Sequence, residues 1–211
     1  MESRKRKVRS DKKRDVKPTI PISLYECISR ISYVTNTPIK DVGEIICENG
    51  LYSKKVFDYL STKFRRNYRF NNTVYIGNLY QENERRVKYS GIKKRITMRF
   101  SQKIYEQIAD LAYSLDVTIS SATAILLDAS IKNTDIINEY VYQYIDEQLD
   151  PNRKKQLKMV FEFIRKENPY EEDISISELI SYLFDEFMDG TRNLKKVLET
   201  WLDKVIEKDE P

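Results

Sequence analysis

Histidine is missing from all 211 residues, and its absence removes several kinds of chemistry at once. Cys/His zinc sites, Ser-His-Asp triads and histidine-bound metal centres cannot be assembled from this chain alone. Glycine is scarce, at five residues, and no GxxxxGK[ST] or GxGxxG run occurs. A phosphate-cradling nucleotide loop is therefore not encoded. Cys27 and Cys47 are the two cysteines of a chain with no sign of export, so they read as reduced and buried. No apolar run approaches the roughly 18 residues of a membrane span, and the N-terminus is basic rather than apolar. That predicts no transmembrane segment and no secretory signal, and a cytoplasmic location. The Asn71-Asn72-Thr73 sequon then carries no meaning. Glu171, Glu172 and Asp173 cluster together, but such a run reads as a solvated loop sooner than as an acid/base pair. The expectation is a protein that is not an enzyme and needs neither metal nor cofactor.

What the chain does have is charge, unevenly placed. Residues 1–133 carry 26 Lys+Arg against 14 Asp+Glu, whereas residues 134–211 carry 11 against 19. The first part is suited to a polyanion, the last part to another task. Hydrophobic content of 40% is enough for a folded core. The opening stretch MESRKRKVRSDKKRDVK has nine basic residues in seventeen and almost nothing to bury. Residues 1–16 are expected to be a disordered basic tail. Its Arg4, Lys5, Arg6 and Lys7 would add phosphate contacts that depend on salt rather than on sequence.

The segment KKRITMRFSQKIYEQIADL, residues 93–111, changes period partway along. Arg95, Thr97 and Arg99 alternate with Ile96, Met98 and Phe100, the pattern of a strand with one buried face. From Ser101 onward Ile104, Ile108, Leu111 and Leu115 recur at helical spacing, with Ser101 placed as an N-cap. After Leu115-Asp116-Val117, Thr118 or Ser120 can cap a second helix with Ile119, Ala122, Ile125, Leu126 and Ala129 on its apolar face. Strand, helix, short turn and helix fit within residues 93–133. A lone strand cannot satisfy its backbone, so this one requires a partner.

Upstream, KPTIPISLYECISRISYVTNTPIKDVGEIICENGL, residues 17–51, repeats the grammar. Ile20 and Ile22 alternate with Thr19, Pro21 and Ser23. Ser23 to Glu26 has the spacing of a capping box, and Leu24, Ile28, Ile31 and Val34 follow on one helical face. Thr37-Pro38 opens a second helix through Ile39, Val42, Ile45 and Ile46, and Gly50 is placed to close it. Pro18 and Pro21 remove ladder donors, which predicts a short or edge pairing for this strand.

The segment Lys94-Arg95-Ile96-Thr97-Met98-Arg99-Phe100-Ser101, with Leu115-Asp116-Val117-Thr118-Ile119-Ser120-Ser121 after it, resembles the ribbon-helix-helix family of DNA-binding proteins, which includes the Arc and MetJ repressors. The resemblance covers about 75 of 211 residues when the upstream copy is included. It implies a mostly α fold with short β-ribbons, two tandem ribbon-helix-helix units and a small helical bundle after them. In that family two strands pair antiparallel and the ribbon enters the DNA major groove. By position Arg95, Thr97 and Arg99 would read bases; in the first unit, whose register against the second is open by about two residues, Lys17, Thr19, Pro21 and Ser23 are the choices, with Lys17 and Thr19 preferred. Lys93, Lys94 and the start of the helix at Thr118, Ser120 and Ser121 would hold phosphates. The two units could pair with each other as an internal pseudo-dimer, or each with its counterpart on another chain.

The connector, residues 52–92, reads as helical in its first half, with Val56, Tyr59, Leu60, Phe64 and Tyr68 as an apolar face. Its Phe64, Tyr68 and Phe70 interleave with arginines and could instead stack on single-stranded bases. Residues 134–211 read as four helices, near 135–149, 152–166, 175–188 and 191–207. Pro151, Pro169 and Gly190 punctuate them. Their stripes suit a bundle that oligomerises or docks a protein partner, with Trp201 as a candidate anchor.

The functional expectation is a sequence-specific double-stranded DNA-binding protein. It would act as a transcriptional repressor or as a plasmid or mobile-element accessory factor at a partition site or conjugative transfer origin. The alternatives are an antitoxin-like or scaffold module with secondary DNA binding, and a single-strand nucleic-acid binder.

Overall fold

A computed structural model describes residues 13–81, 91–144 and 150–170. Seven helices and three pairs of short antiparallel strands make up these residues, so the protein is mostly helical. Strands β1 (Arg14–Val16) and β2 (Thr19–Pro21) lead into α1 (Ile22–Thr35), α2 (Ile39–Tyr52) and α3 (Lys54–Ser61). A hairpin of β3 (Tyr68–Phe70) and β4 (Thr73–Tyr75) follows. Strands β5 (Lys93–Arg95) and β6 (Met98–Phe100) then lead into α4 (Gln102–Leu115), α5 (Ile119–Lys132) and α6 (Thr134–Tyr144). Helix α7 (Pro151–Glu167) ends the described chain.

The two halves repeat element for element. Helices start at Ile22, Ile39 and Lys54 in the first and at Gln102, Ile119 and Thr134 in the second, a constant offset of 80 residues. The junctions repeat as well. Asn36 and Asp116 both take the left-handed conformation after their helices, at φ 51° and 56°, a conformation that Asn and Asp tolerate better than most residues. Ser53 and Asn133, also 80 apart, each cap a third helix by accepting the N–H of Val56 and Ile136. The repeated unit is thus strand and three helices.

The strands of the two halves pair with each other inside the chain. β1 lies antiparallel to β6 and β2 antiparallel to β5, from Arg14 opposite Phe100 to Pro21 opposite Lys93, without a slip in register. The Ile96 N–H donates to the Pro18 carbonyl at 3.1 Å and Ile22 N–H to the Ile92 carbonyl at 3.0 Å. The ribbon therefore runs continuously past both prolines. Pro18 forfeits one ladder bond, and Pro21 lies opposite Lys93 at a position whose amide faces away from the partner strand. The expected weakening by proline does not break the pairing.

Four further expectations are corrected. Residues 14–16 are a ribbon strand with Val16 buried, so the basic tail cannot extend to residue 16. The Ser23 to Glu26 capping box does not form. Pro21, at φ −56°, is the N-cap and makes no side-chain cap bond, so Ile22 is already helical. Gly50 does not close α2, which continues to Tyr52. The connector is helical only to Ser61; Asn71, at φ 51°, then turns β3 onto β4.

Packing radiates from the ribbon. Its inner face, Val16, Ile20, Ile96, Met98 and Phe100, is buried with α1, α2, α4 and α5 in one apolar core. The same core takes in Ile137 and Val141 of α6, and Leu157, Val160, Phe161 and Ile164 of α7, which lies chiefly on α1. The expected division between residues 133 and 134 thus falls at Asn133, a buried cap between two packed helices. Residues 1–12, which hold Arg4, Lys5, Arg6 and Lys7, lie outside the described residues. So do residues 171–211, with the acidic cluster, the last two expected helices and Trp201. No single helix among the described residues is long and apolar enough to cross a membrane.

Candidate nucleic-acid interface

Strand periodicity divides the ribbon into two faces. Odd-numbered residues, Asp15, Lys17 and Thr19 on one strand and Arg95, Thr97 and Arg99 on the other, are exposed, while Val16, Pro18, Ile20, Ile96, Met98 and Phe100 are buried. All five residues expected to read bases, Lys17, Thr19, Arg95, Thr97 and Arg99, therefore share one exposed face. The register sets them in three cross-strand pairs. Asp15 lies opposite Arg99 and Thr19 opposite Arg95. In the same register Lys17 faces Thr97, between these pairs. Lys17 and Thr97 are equivalent positions in the two halves, so the middle of the ribbon is the centre of an internal two-fold relationship.

The electrostatics of the three pairs differ. Arg99 Nε donates to Asp15 Oδ1 at 2.9 Å, both side chains being largely solvated. Lys17 and Arg95 have no ionic partner among the described residues. A solvated ion pair of this kind adds little to stability, but it fixes where the guanidinium points. The Arg99 backbone N–H, which faces away from the partner strand, donates to Glu44 Oε1 of α2 at 2.7 Å. Glu44 Oε2 is 3.6 Å from Lys13 Nζ. Glu44 thus ties this end of the ribbon to α2.

Both ends of the ribbon are also clamped by cation–aromatic contacts. Arg14 lies over the Tyr105 ring at 5.6 Å and Lys94 over the Tyr25 ring at 4.6 Å. These are repeat-related pairs, 14 with 94 and 25 with 105. Lys94, expected to hold phosphate, is exposed but drawn toward its tyrosine. Lys93 is exposed at the end of the ribbon.

At the start of α5 the Thr118 hydroxyl accepts the Ser121 N–H at 3.2 Å and lies 2.9 Å from the Ser121 hydroxyl. Ser120 is half-buried beside them. The helix start therefore gathers hydroxyls and backbone donors, as an anion requires. The corresponding start of α2 has Pro38, Lys40 and Asp41 in those places, with Lys40 Nζ 3.7 Å from Asp41 Oδ1.

Within residues 64–68 the arginines and aromatic rings are used internally. Phe64 and Tyr68 are buried, and Phe57 stacks on Tyr68 at 4.8 Å and on Phe70 at 4.5 Å. Arg65 and Arg66 both pair with Asp116 at the end of α4, at 3.1 and 2.9 Å. Phe64 and Tyr68 are committed to the core and Phe70 is half-buried against Phe57, so of the stacking platform for single strands expected from 64–70 only part of the Phe70 ring meets solvent. Tyr75 donates to Asp58 at 2.6 Å; burial first, then that carboxylate, push the phenol up to about 12.

Asp15, Arg14, Lys13 and Glu44 belong to this surface and were not anticipated. Counting 80 residues back from Arg95 would have reached Asp15. Comparison with protein-family models, curated proteins and solved structures finds no match to this chain.

Proposed function

We propose that the chain binds double-stranded DNA, inserting the ribbon into the major groove as a single-chain ribbon-helix-helix pseudo-dimer. The observation that carries this reading is the ribbon itself. Its apolar face is sealed against four helices, and its other face offers Lys17, Thr19, Arg95, Thr97 and Arg99 together to solvent. A two-stranded ribbon is of a width that the major groove admits. Arginine can bind guanine O6 and N7 bidentately, lysine can bind the same acceptors, and threonine offers a hydroxyl or a methyl for thymine.

Phosphates on either side would be held by the start of α5 at Thr118, Ser120 and Ser121, by Lys93, and by the basic residues that precede the ribbon. Because both strands come from one chain, one chain suffices for one ribbon. The role that follows is marking a specific duplex site, as a transcriptional repressor or as an accessory factor at a partition site or transfer origin of a mobile element.

The test is selection of bound duplexes from a random pool by the full chain at roughly physiological salt. A short enriched motif supports the reading. Binding without enrichment that vanishes as salt rises overturns it, because only phosphate attraction behaves so. A second reading, a protein-interaction module, draws on the connector. There Val74, Ile76, Leu79 and Tyr80 are 58, 84, 64 and 97% exposed, a concentration of apolar side chains in water.

A further inference from the structure

We propose that the ribbon recognises an asymmetric duplex site in one fixed orientation, with Asp15 determining the base preferred at one end; this rests on the DNA-binding reading above. A ribbon made from two identical strands presents the same pair of side chains at both ends and matches a palindrome. Here equivalent positions carry different chemistry. Asp15, Lys17 and Thr19 of one strand correspond to Arg95, Thr97 and Arg99 of the other. The register then makes one end an aspartate beside an arginine and the other a threonine beside an arginine.

The two ends cannot recognise the same base pair. At the Thr19–Arg95 end the guanidinium has no carboxylate partner among the described residues and is available for guanine. At the opposite end Arg99 is held by Asp15 at 2.9 Å. A carboxylate is repelled by the duplex unless a groove donor meets it, and the major groove offers donors at cytosine N4 and adenine N6 alone. Aspartate pairs with cytosine N4, leaving Arg99, already positioned beside it, for a guanine. A C·G pair, or a C with a neighbouring G, satisfies both residues at once. The two ends lie four residues apart along each strand. That is about 13 Å, or roughly four base-pair steps.

The flanking anchors differ in the same sense. The start of α5 carries Thr118, Ser120 and Ser121, whereas that of α2 has Pro38 as its N-cap and a Lys40–Asp41 ion pair in place of the two serines. Orientation is thus imposed twice, once by base-facing side chains and once by the helices beside them.

The experiment is the same duplex selection, performed with the full-length chain, Asp15→Asn, and a triple variant. The wild type should enrich a non-palindromic motif with cytosine at one end and guanine about four positions away. Asparagine pairs with adenine, so Asp15→Asn should move that cytosine to adenine, weaken binding to the original site by about fivefold or more, and leave the other end alone. Asp15→Arg with Lys17→Thr and Thr19→Arg gives both strands the same outward face and should convert the motif to a palindrome. A palindromic wild-type motif, or an Asp15→Asn motif identical to the wild type, overturns the proposal while leaving DNA recognition standing. Absence of any motif overturns both. Asp15 is solvated, with its side chain 46% exposed, so unchanged thermal melting is the check that each variant still folds.

Discussion

Gly50 and Ser130, equivalent residues of the two halves, meet each other where α2 crosses α5. A Cβ placed on Gly50 would lie 1.9 Å from the Ser130 hydroxyl and 3.0 Å from its Cβ. The repeat therefore meets itself at two points, Lys17 opposite Thr97 at the surface and Gly50 against Ser130 in the core. At the second point only one of the two residues can carry a side chain.

Gly50→Ala should destabilise the fold. Alanine favours a helix over glycine by about 1 kcal/mol, but overpacking a buried contact costs about 1–3 kcal/mol, and here the clash involves a Cβ on each side. Adding Ser130→Gly should recover most of the loss. Denaturant unfolding of the single and double variants measures both values, and a double variant no better than Gly50→Ala would place the clash elsewhere.

Met98→Lys should unfold the protein and not merely weaken a contact. Met98 is 0% exposed and its side chain reaches Gly43 of α2, so an ammonium there has no partner. The expected cost is about 3–5 kcal/mol, read from the loss of helical signal on heating. A variant with wild-type stability would mean the ribbon faces are reversed.

Arg95→Ala should cost about 1–3 kcal/mol on the selected DNA site and much less on random duplex, since one bidentate base contact carries that discrimination. Titration of the two duplexes side by side decides it. Equal losses would make Arg95 a phosphate contact.

Two truncations separate the tail from the ribbon. Removing residues 1–11 takes away Arg4, Lys5, Arg6, Lys7 and Arg9 but leaves β1. Binding should weaken on all sequences, and the slope of log affinity against log salt should flatten, with folding unchanged. Removing residues 1–16 also takes β1, and with it the buried Val16 and the pairing to β6. That variant should lose stability as well as binding, and an equal melting temperature for the two truncations would refute the placement of β1.

Cys27 and Cys47 should resist thiol reagents in the native protein and both react once it unfolds. They are buried and unbridged, and burial raises both thiols, Cys27 to about 12. Above about pH 9 the unfolded chain releases these protons while the folded chain keeps them, so stability falls as pH rises. Rapid labelling at neutral pH without unfolding would show that the core between α1 and α2 opens.

Local patterns specified the elements that need only their own neighbours. The 3.6-residue stripes of α1, α2, α4 and α5, the Ser101 and Thr118 caps, and the alternation from Arg95 to Phe100 are properties of contiguous residues. Sequence alone therefore determined that the chain contains two strand-helix-helix segments, and which face of the second strand is wet. Tertiary structure decided what depends on residues far apart. Pairing within the chain, the register that brings Asp15 to Arg99, and the conscription of residues 14–16 from an apparent tail are cross-strand choices made about 80 residues away. Gly50 looked like a helix stop because, read locally, glycine favours an ending. In the fold α2 continues through it to Tyr52, and glycine stands there because α5 approaches too closely for any side chain. Phe64 and Tyr68 likewise looked available to bases until Phe57 and the hairpin enclosed them. Period reveals a buried face, but only packing reveals what covers it.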